Sequence, residues 1–231
     1  MRKLAGLLSA GLISASTALM AENVTVVELY TSQGCSSCPP ADKILHELAA
    51  QDDVIALALH VDYWDYIGWK DEFADPDHTE RQKGYARAAG ARSIYTPQMV
   101  IGGMDHVVGS RPAEVAEHLT NHAKKKAMVD VAGTRDGNSF TVVASPYEPI
   151  DDGVDVHVVT YRPSSTVDIR RGENAGRTLD YANVVTSWDY VGRWSTSDEF
   201  ELKASVSNDD PVVVIFQRPD HGEIVGAVQL R

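Results

Sequence analysis

Two observations predict a mixed α/β first half followed by an all-β second half. Two apolar, β-branched runs within residues 24–61 flank a stretch of helical period, and beyond Lys124-Lys125-Lys126 short alternating runs divided by turn signals take over. Val24 to Tyr30, rich in β-branched and aromatic residues, reads as a strand buried on both faces. Thr31 to Gly34 forms a turn, after which Ala41, Ile44, Leu45, Leu48 and Ala49 recur with helical period. Val54 to Val61 is a second buried strand, and two such strands joined by one helix make a parallel β-α-β unit. Asp62 to Asp71 holds four aromatics and three acids, a loop that either caps the core or meets a partner. A helix from His78 to Ala89 follows, with Asp77, just after Pro76, as its N-cap. Gln98 to Ile101 is a third strand, Gly102-Gly103 a turn, and His106 to Gly109 the returning arm of a hairpin. Pro112 to Lys124 is the last helix of this half; His118 and His122, four apart on it, are read as a solvent-facing pair.

The chemistry of the sequence is concentrated in Cys35 and Cys38, spaced C-x-x-C. Zinc needs two more thiolate or imidazole ligands at matching spacing, and no second C-x-x-C is present. Covalent haem attachment needs a histidine at position 39, which is Pro39. A disulfide closing so short a loop gains little from chain entropy, which leaves redox chemistry as the leading reading over a structural bridge. The pair opens a helix, where unpaired backbone N–H groups and the helix dipole favour a thiolate, most of all on the first cysteine. Cys35 is therefore the candidate nucleophile and Cys38 the resolving thiol. Pro39 and Pro40 are tolerated there because first-turn N–H groups lack helical partners.

The order β-α-β-α-β-β-α, with C-x-x-C opening the first helix and Thr96-Pro97 opening the third strand, resembles a thioredoxin fold. The resemblance implies that Pro97 is cis and lies against the disulfide, that Thr96 pairs with substrate backbone, and that a buried acid in the first strand shuttles a proton to the resolving thiol. Glu28 lies in the matching strand, seven residues before Cys35, so the match needs one inserted residue in the turn. An acid in a buried strand is expected to have a raised pKa suited to exchange near neutrality. Ser36 and Ser37 between the cysteines leave the reduction potential open. Five segments, Cys35 to Asp42, His60 to Asp65, Gly68 to Asp71, Thr79 to Gln82 and Tyr95 to Gln98, resemble a bacterial secreted thioredoxin-like family labelled a domain of unknown function. The likeness continues at Arg171 to Arg177 and Asn183 to Val185. The family implies a fold, an exported location and a redox activity, but no substrate. Tyr63 and Trp64 join Thr96 and Pro97 as candidate substrate-binding residues.

In the second half, strand-like runs fall at Met128–Thr134, Ser139–Ala144, Val154–Tyr161, Asn183–Val191, Phe200–Ala204, Val212–Gln217 and Ile224–Leu230. They predict a small antiparallel β-sandwich at 127–231, packed on a thioredoxin-like domain at 22–126. Arg171 to Arg177 reads either as a recognition loop or as a long connection held by its own ion pairs. At the N-terminus, Arg2-Lys3, the apolar stretch Leu4 to Ile13 and the small residues after it predict a signal peptide over residues 1–21. The expected location is thus the periplasm or beyond, with no membrane insertion after cleavage. The 231 residues carry a formal charge of −12, which becomes −14 when Arg2 and Lys3 leave with the signal. Such a surface repels phosphate backbones, so nucleic-acid binding is not expected.

These features predict an exported thiol-disulfide oxidoreductase acting on protein or small-thiol disulfides, with a separate redox partner and no cofactor. Two alternatives accompany it. One is a copper or zinc carrier using Cys35, Cys38 and His60, since soft thiolates with imidazole suit those ions. The other is a non-catalytic binding module of the same fold.

Overall fold

A computed structural model describes residues 24–231, so the expected signal segment lies outside the described residues. Strand β1 (Thr25–Thr31) and strand β2 (Val54–His60) pair in parallel, joined by helix α1 (Pro39–Leu48). All seven residues of each strand are buried, as continuous apolar runs require when helices cover both faces. Helix α2 (Pro76–Ala88) leads to β3 (Gln98–Ile101), which runs antiparallel to β1 and forms a hairpin with β4 (Asp105–Val108) before helix α3 (Pro112–Ala123).

Strand alternation sorts the two faces. Val27 and Leu29 face Ala41, Leu45 and Leu48 of α1 and Val115 of α3. Val26 and Tyr30 face the other way, with Leu57, Leu59 and Tyr85 of α2.

The second half differs from expectation in where its strands go. Strands β5 (Val129–Asp136), β6 (Ser139–Pro146) and β9 (Phe200–Ser205) form a three-stranded antiparallel sheet. Strands β7 (Val154–Asp168), β8 (Thr178–Trp194), β10 (Val212–Gln217) and β11 (Ile224–Leu230) instead extend the first half's sheet into eight strands, ordered β11-β10-β7-β8-β2-β1-β3-β4. The join is the parallel contact of Ala58 with Val184, reinforced by Asn183 Nδ2 donating to Ala56 O at 2.8 Å. It covers the edge that β2 would otherwise leave open. The three-stranded sheet buries Val131, Phe140 and Val142 against Val156, Val214 and Phe216, on the side of the large sheet that carries α1 and α3.

Several boundaries shift for identifiable reasons. Helix α2 is capped by Asp75, whose carboxylate accepts from Asp77 N–H at 2.9 Å, because Pro76 takes the first helical position rather than preceding the cap. Strand β7 runs on past Tyr161, where the apolar alternation stops at Arg162-Pro163-Ser164, and Asn183 at φ 48° sits in the partner strand opposite that proline. His122 is buried and shares a hydrogen bond with Asp105 at 2.7 Å, so the pair with His118 is not solvent-facing; both rings turn to that one carboxylate.

Candidate functional site

The site is built at the C-terminal end of β1. The turn after Thr31 is tightened by Cys35 N–H to Ser32 O at 3.1 Å and Cys38 N–H to Cys35 O at 3.2 Å. Cys38 is the N-cap residue of α1, and its carbonyl accepts from Ala41 and Asp42. Cys35 and Cys38 are joined in a disulfide. The pairing of Tyr30 with Gln98 places Thr96 and Pro97 at this same end of the sheet, and the peptide between them is cis. Trp64 links the two segments. Its indole N–H donates to Thr96 Oγ1 at 2.8 Å, and its Cβ lies so near Gly34 that a side chain there would meet it at 3.2 Å. Tyr63 donates to Gln82, and Trp69 donates to the Gln33 side chain at 2.7 Å.

Both cysteines are fully buried, at 0% exposure. Part of the cover is the connection between β7 and β8, residues 169–177, which the sequence left between a recognition loop and a plain linker. Asn174, 1% exposed, donates through Nδ2 to the carbonyls of Gln33 at 2.9 Å and Cys35 at 3.0 Å. Its own carbonyl is held by Arg177 at 2.8 Å, and Glu173 accepts from the exposed Ser36 hydroxyl at 2.6 Å. Gly176 N–H to Ile169 O at 2.8 Å and Ile169 N–H to Arg177 O at 2.9 Å close the strap on itself.

Two buried acids, Glu28 and Asp42, lie on opposite faces of the sheet near the end of β1. Glu28 is buried, but on the α2 face of β1, where Arg81 donates to both its oxygens at 2.7 and 2.8 Å and Tyr85 and Tyr30 donate at 2.6 and 2.9 Å. Burial alone would raise its pKa. Arg81's charge and hydrogen bonds, with those of the tyrosines, outweigh burial and hold it below 4.5. The carboxylate thus lies across the sheet from α1, the helix that Cys38 caps.

The buried acid on the α1 face is Asp42. It lies four residues after Cys38, one turn along the same face of α1, and accepts from the Thr31 hydroxyl at 2.7 Å. Burial pushes its pKa up to about 7, against the lowering influence of that hydroxyl and of nearby His60. Two signals in the sequence point to it: the i, i+4 spacing from Cys38, and the parity of Thr31 with the strand residues that face α1.

His60 is fully buried and committed elsewhere. Its Nδ1 lies 2.7 Å from Asp71, and its ring packs edge-on against Phe73 and Tyr181. Burial raises the Asp71 pKa, but His60 and the backbone N–H groups of Gln33 and Phe73 bring it net below its usual value. Among the described residues no three His, Cys, Asp or Glu side chains gather closely enough to hold a metal ion, so His60 does not complete a ligand set with the cysteines. Three buried polar atoms around this network, Gln33 Nε2, His60 Nε2 and Tyr181 Oη, have no partner among the described residues. A cleft of about 310 Å³ between α1 and the start of β8 reaches Asp42 from the surface, past His46 and Arg177. Among the described residues no helix is long and apolar enough to cross a membrane.

Comparison with known proteins adds a family and a structural relative. The family model described as "Protein of unknown function (DUF1223)" matches residues 26–217. The crystal structure of protein AGR_C_4864 from Agrobacterium tumefaciens is 33% identical, covers 91% of this chain and 95% of its own, and superposes with a TM-score of 0.79. A domain of the outer membrane lipoprotein Omp28 from Porphyromonas gingivalis is 11% identical over 46% of this chain and 89% of its own, with a TM-score of 0.22. No curated protein matches the chain.

Proposed function

We propose that this chain, which belongs to the DUF1223 family of proteins of unknown function, is an exported thiol-disulfide oxidoreductase of thioredoxin-like fold acting on protein or small-thiol disulfides. The observation that carries the reading is a C-x-x-C pair at the N-terminus of α1 with a buried, readily protonated carboxylate, Asp42, one turn below. The order of elements from β1 to α3 supports the fold assignment. The apolar N-terminal segment read from the sequence supports export.

In the reduced protein the Cys35 thiolate attacks one sulfur of a substrate disulfide. That S–S bond breaks, and the departing sulfur takes a proton. Cys38 then gives its proton to the Asp42 carboxylate and attacks Cys35 Sγ, releasing the second substrate thiol and forming the internal disulfide. Two electrons pass to the substrate, and an exported dithiol donor restores the pair. Thr96, Pro97, Tyr63 and Trp64 frame the approach from the β3 side, and the strap must yield before either sulfur is reached.

The complete burial of both cysteines favours a second reading, a non-catalytic module whose bridge stays closed. Cysteine variants separate the two. As an oxidoreductase, the protein loses turnover in Cys35→Ser and accumulates mixed disulfides in Cys38→Ser; as a closed module, it exchanges with neither glutathione nor a protein disulfide in any form.

A further inference from the structure

The face of the large sheet that packs on α2 carries a second polar assembly, with no thiol in it. A cavity of about 190 Å³, room for about six waters at ~30 Å³ each, opens beside Arg81, His157 and His221. The Arg81 guanidinium is only 9% exposed and lies on the Trp188 ring at 3.8 Å. Its Nε and Nη2 are spent on Glu28, Tyr85 and Gln217, the last at 3.0 Å. Gln217 in turn donates to Tyr85 at 2.9 Å. A buried ion pair of this kind contributes little net stability compared with apolar side chains of similar volume. What the assembly does achieve is to fix one guanidinium, whose remaining end, Nη1, has no partner among the described residues.

Three further features belong to residues that border the same space. His157 Nδ1 is buried without a partner among the described residues. Asp220 and His221 both sit at left-handed φ, 56° and 60°, a pair of non-glycine residues held where side chains rarely go. The His221 ring occupies the volume a side chain at Gly84 would need, since a Cβ there would meet it at 2.2 Å. The charged groups facing the cavity are Arg81, Arg193 and Arg218 against Asp155 and Asp220, and Asp155 is already engaged by Arg193 at 2.8 and 3.2 Å. Burial first, and then Arg81 more than it is offset by Glu28, pushes His157 down to about 4 and lowers His221. Arg81 and Arg193 are already paired, with Glu28 and Asp155, whereas Arg218 has no carboxylate partner among the described residues.

We infer that this cavity is a binding site for a small oxyanion, a carboxylate or phosphate group, held by Arg218 and Arg81 Nη1 with the unpartnered His157 imidazole beside them. Oxyanions suit an unpaired guanidinium beside a neutral imidazole, and bind most firmly where donors are already fixed. The test is calorimetric titration of the full mature chain with inorganic phosphate and, separately, with succinate. The expected result is saturable binding of at least one, weakened about tenfold or more in Arg218→Ala and in His157→Phe, as loss of a charge-assisted bond dictates. Binding should persist in Cys35→Ser, which keeps this site distinct from the thiol chemistry. Preference for phosphate over succinate, or the reverse, identifies the headgroup. No saturable binding of either anion up to about 10 mM, or binding indifferent to both substitutions, overturns the inference. Arg81 is left intact because its removal strands Glu28 in the core; circular dichroism of both variants confirms that they fold.

Discussion

Asp42 and Glu28 are both buried acids near the end of β1, and their partners send them opposite ways. Glu28 faces a guanidinium and two phenols; Asp42 faces a hydroxyl and no fixed cation at contact distance. The consequences are separable by measurement. Because the folded pKa of Asp42, about 7, exceeds its ordinary 3.8, the folded state holds the extra proton between those values. Stability is then full below about pH 4 and is lost as pH rises toward 7, by on the order of 2 to 4 kcal/mol. Asp42→Asn removes that loss, so the variant's urea midpoint should exceed the parent's by more at pH 8 than at pH 5; a gap independent of pH would contradict the assignment. The same substitution should slow release of a Cys35 mixed disulfide about 10²-fold near neutrality by rapid-quench thiol labelling, the effect of losing a proton acceptor. Glu28→Gln should leave that rate unchanged while lowering stability, since it weakens the grip on Arg81. If Glu28→Gln, and not Asp42→Asn, slows the step, the proton acceptor has been misplaced. The sequence made Glu28 legible as buried but not which face it occupied. Strand parity carries that information, and the parity of Thr31 with Val27 and Leu29 points to α1 and so to Asp42.

Helix α1 and the strap over it enclose the disulfide. The helix was legible from its apolar period and its C-x-x-C-Pro-Pro start, because capping and periodicity are local properties. The strap was not: Asn174 reaches Cys35 and Gln33 across 139 and 141 residues, and no local pattern marks an asparagine destined for two backbone carbonyls. Its contacts limit access to the disulfide, so loosening it should speed attack. Asn174→Ala is expected to raise the rate of disulfide reduction by dithiothreitol several-fold, since each lost hydrogen bond contributes roughly 0.5–1.5 kcal/mol to the closed state. The stop-flow trace of thiol appearance checks this, and an unchanged rate would show that the strap does not govern entry. Strands β3, β10 and β11 were legible to the residue because apolar runs end at glycines and charged turns. Strands β7 and β8 were not, since pairing around Pro163 and Asn183 continues where the apolar signal has stopped.

Across the whole molecule, the join at Ala58 and Val184 makes the two halves share one sheet and one core. Val159, Tyr161, Val185, Val213 and Ile215 from the second half pack with Tyr30, Leu57 and Leu59 from the first. Burial of such side chains contributes about 1.5–3 kcal/mol each, a sum comparable to the ~5–15 kcal/mol by which a typical fold is stable. Residues 22–126 expressed alone should therefore lack cooperative thermal unfolding and dispersed amide resonances; a folded, cooperative fragment would show that the halves are independent. The sequence registered a change of texture after Lys126 but not that the sheet crosses it, because strand neighbours distant in the chain leave no trace in local alternation. Everything functional still turns on whether the Cys35–Cys38 bridge opens at a potential its surroundings can reach. The direct test is redox equilibration of residues 22–231 against glutathione or dithiothreitol, with thiol labelling read by mass. A working dithiol requires a potential between roughly −120 and −270 mV with Cys35 labelled first, whereas a value below about −300 mV would leave the disulfide a closed bridge and rule out the exchange.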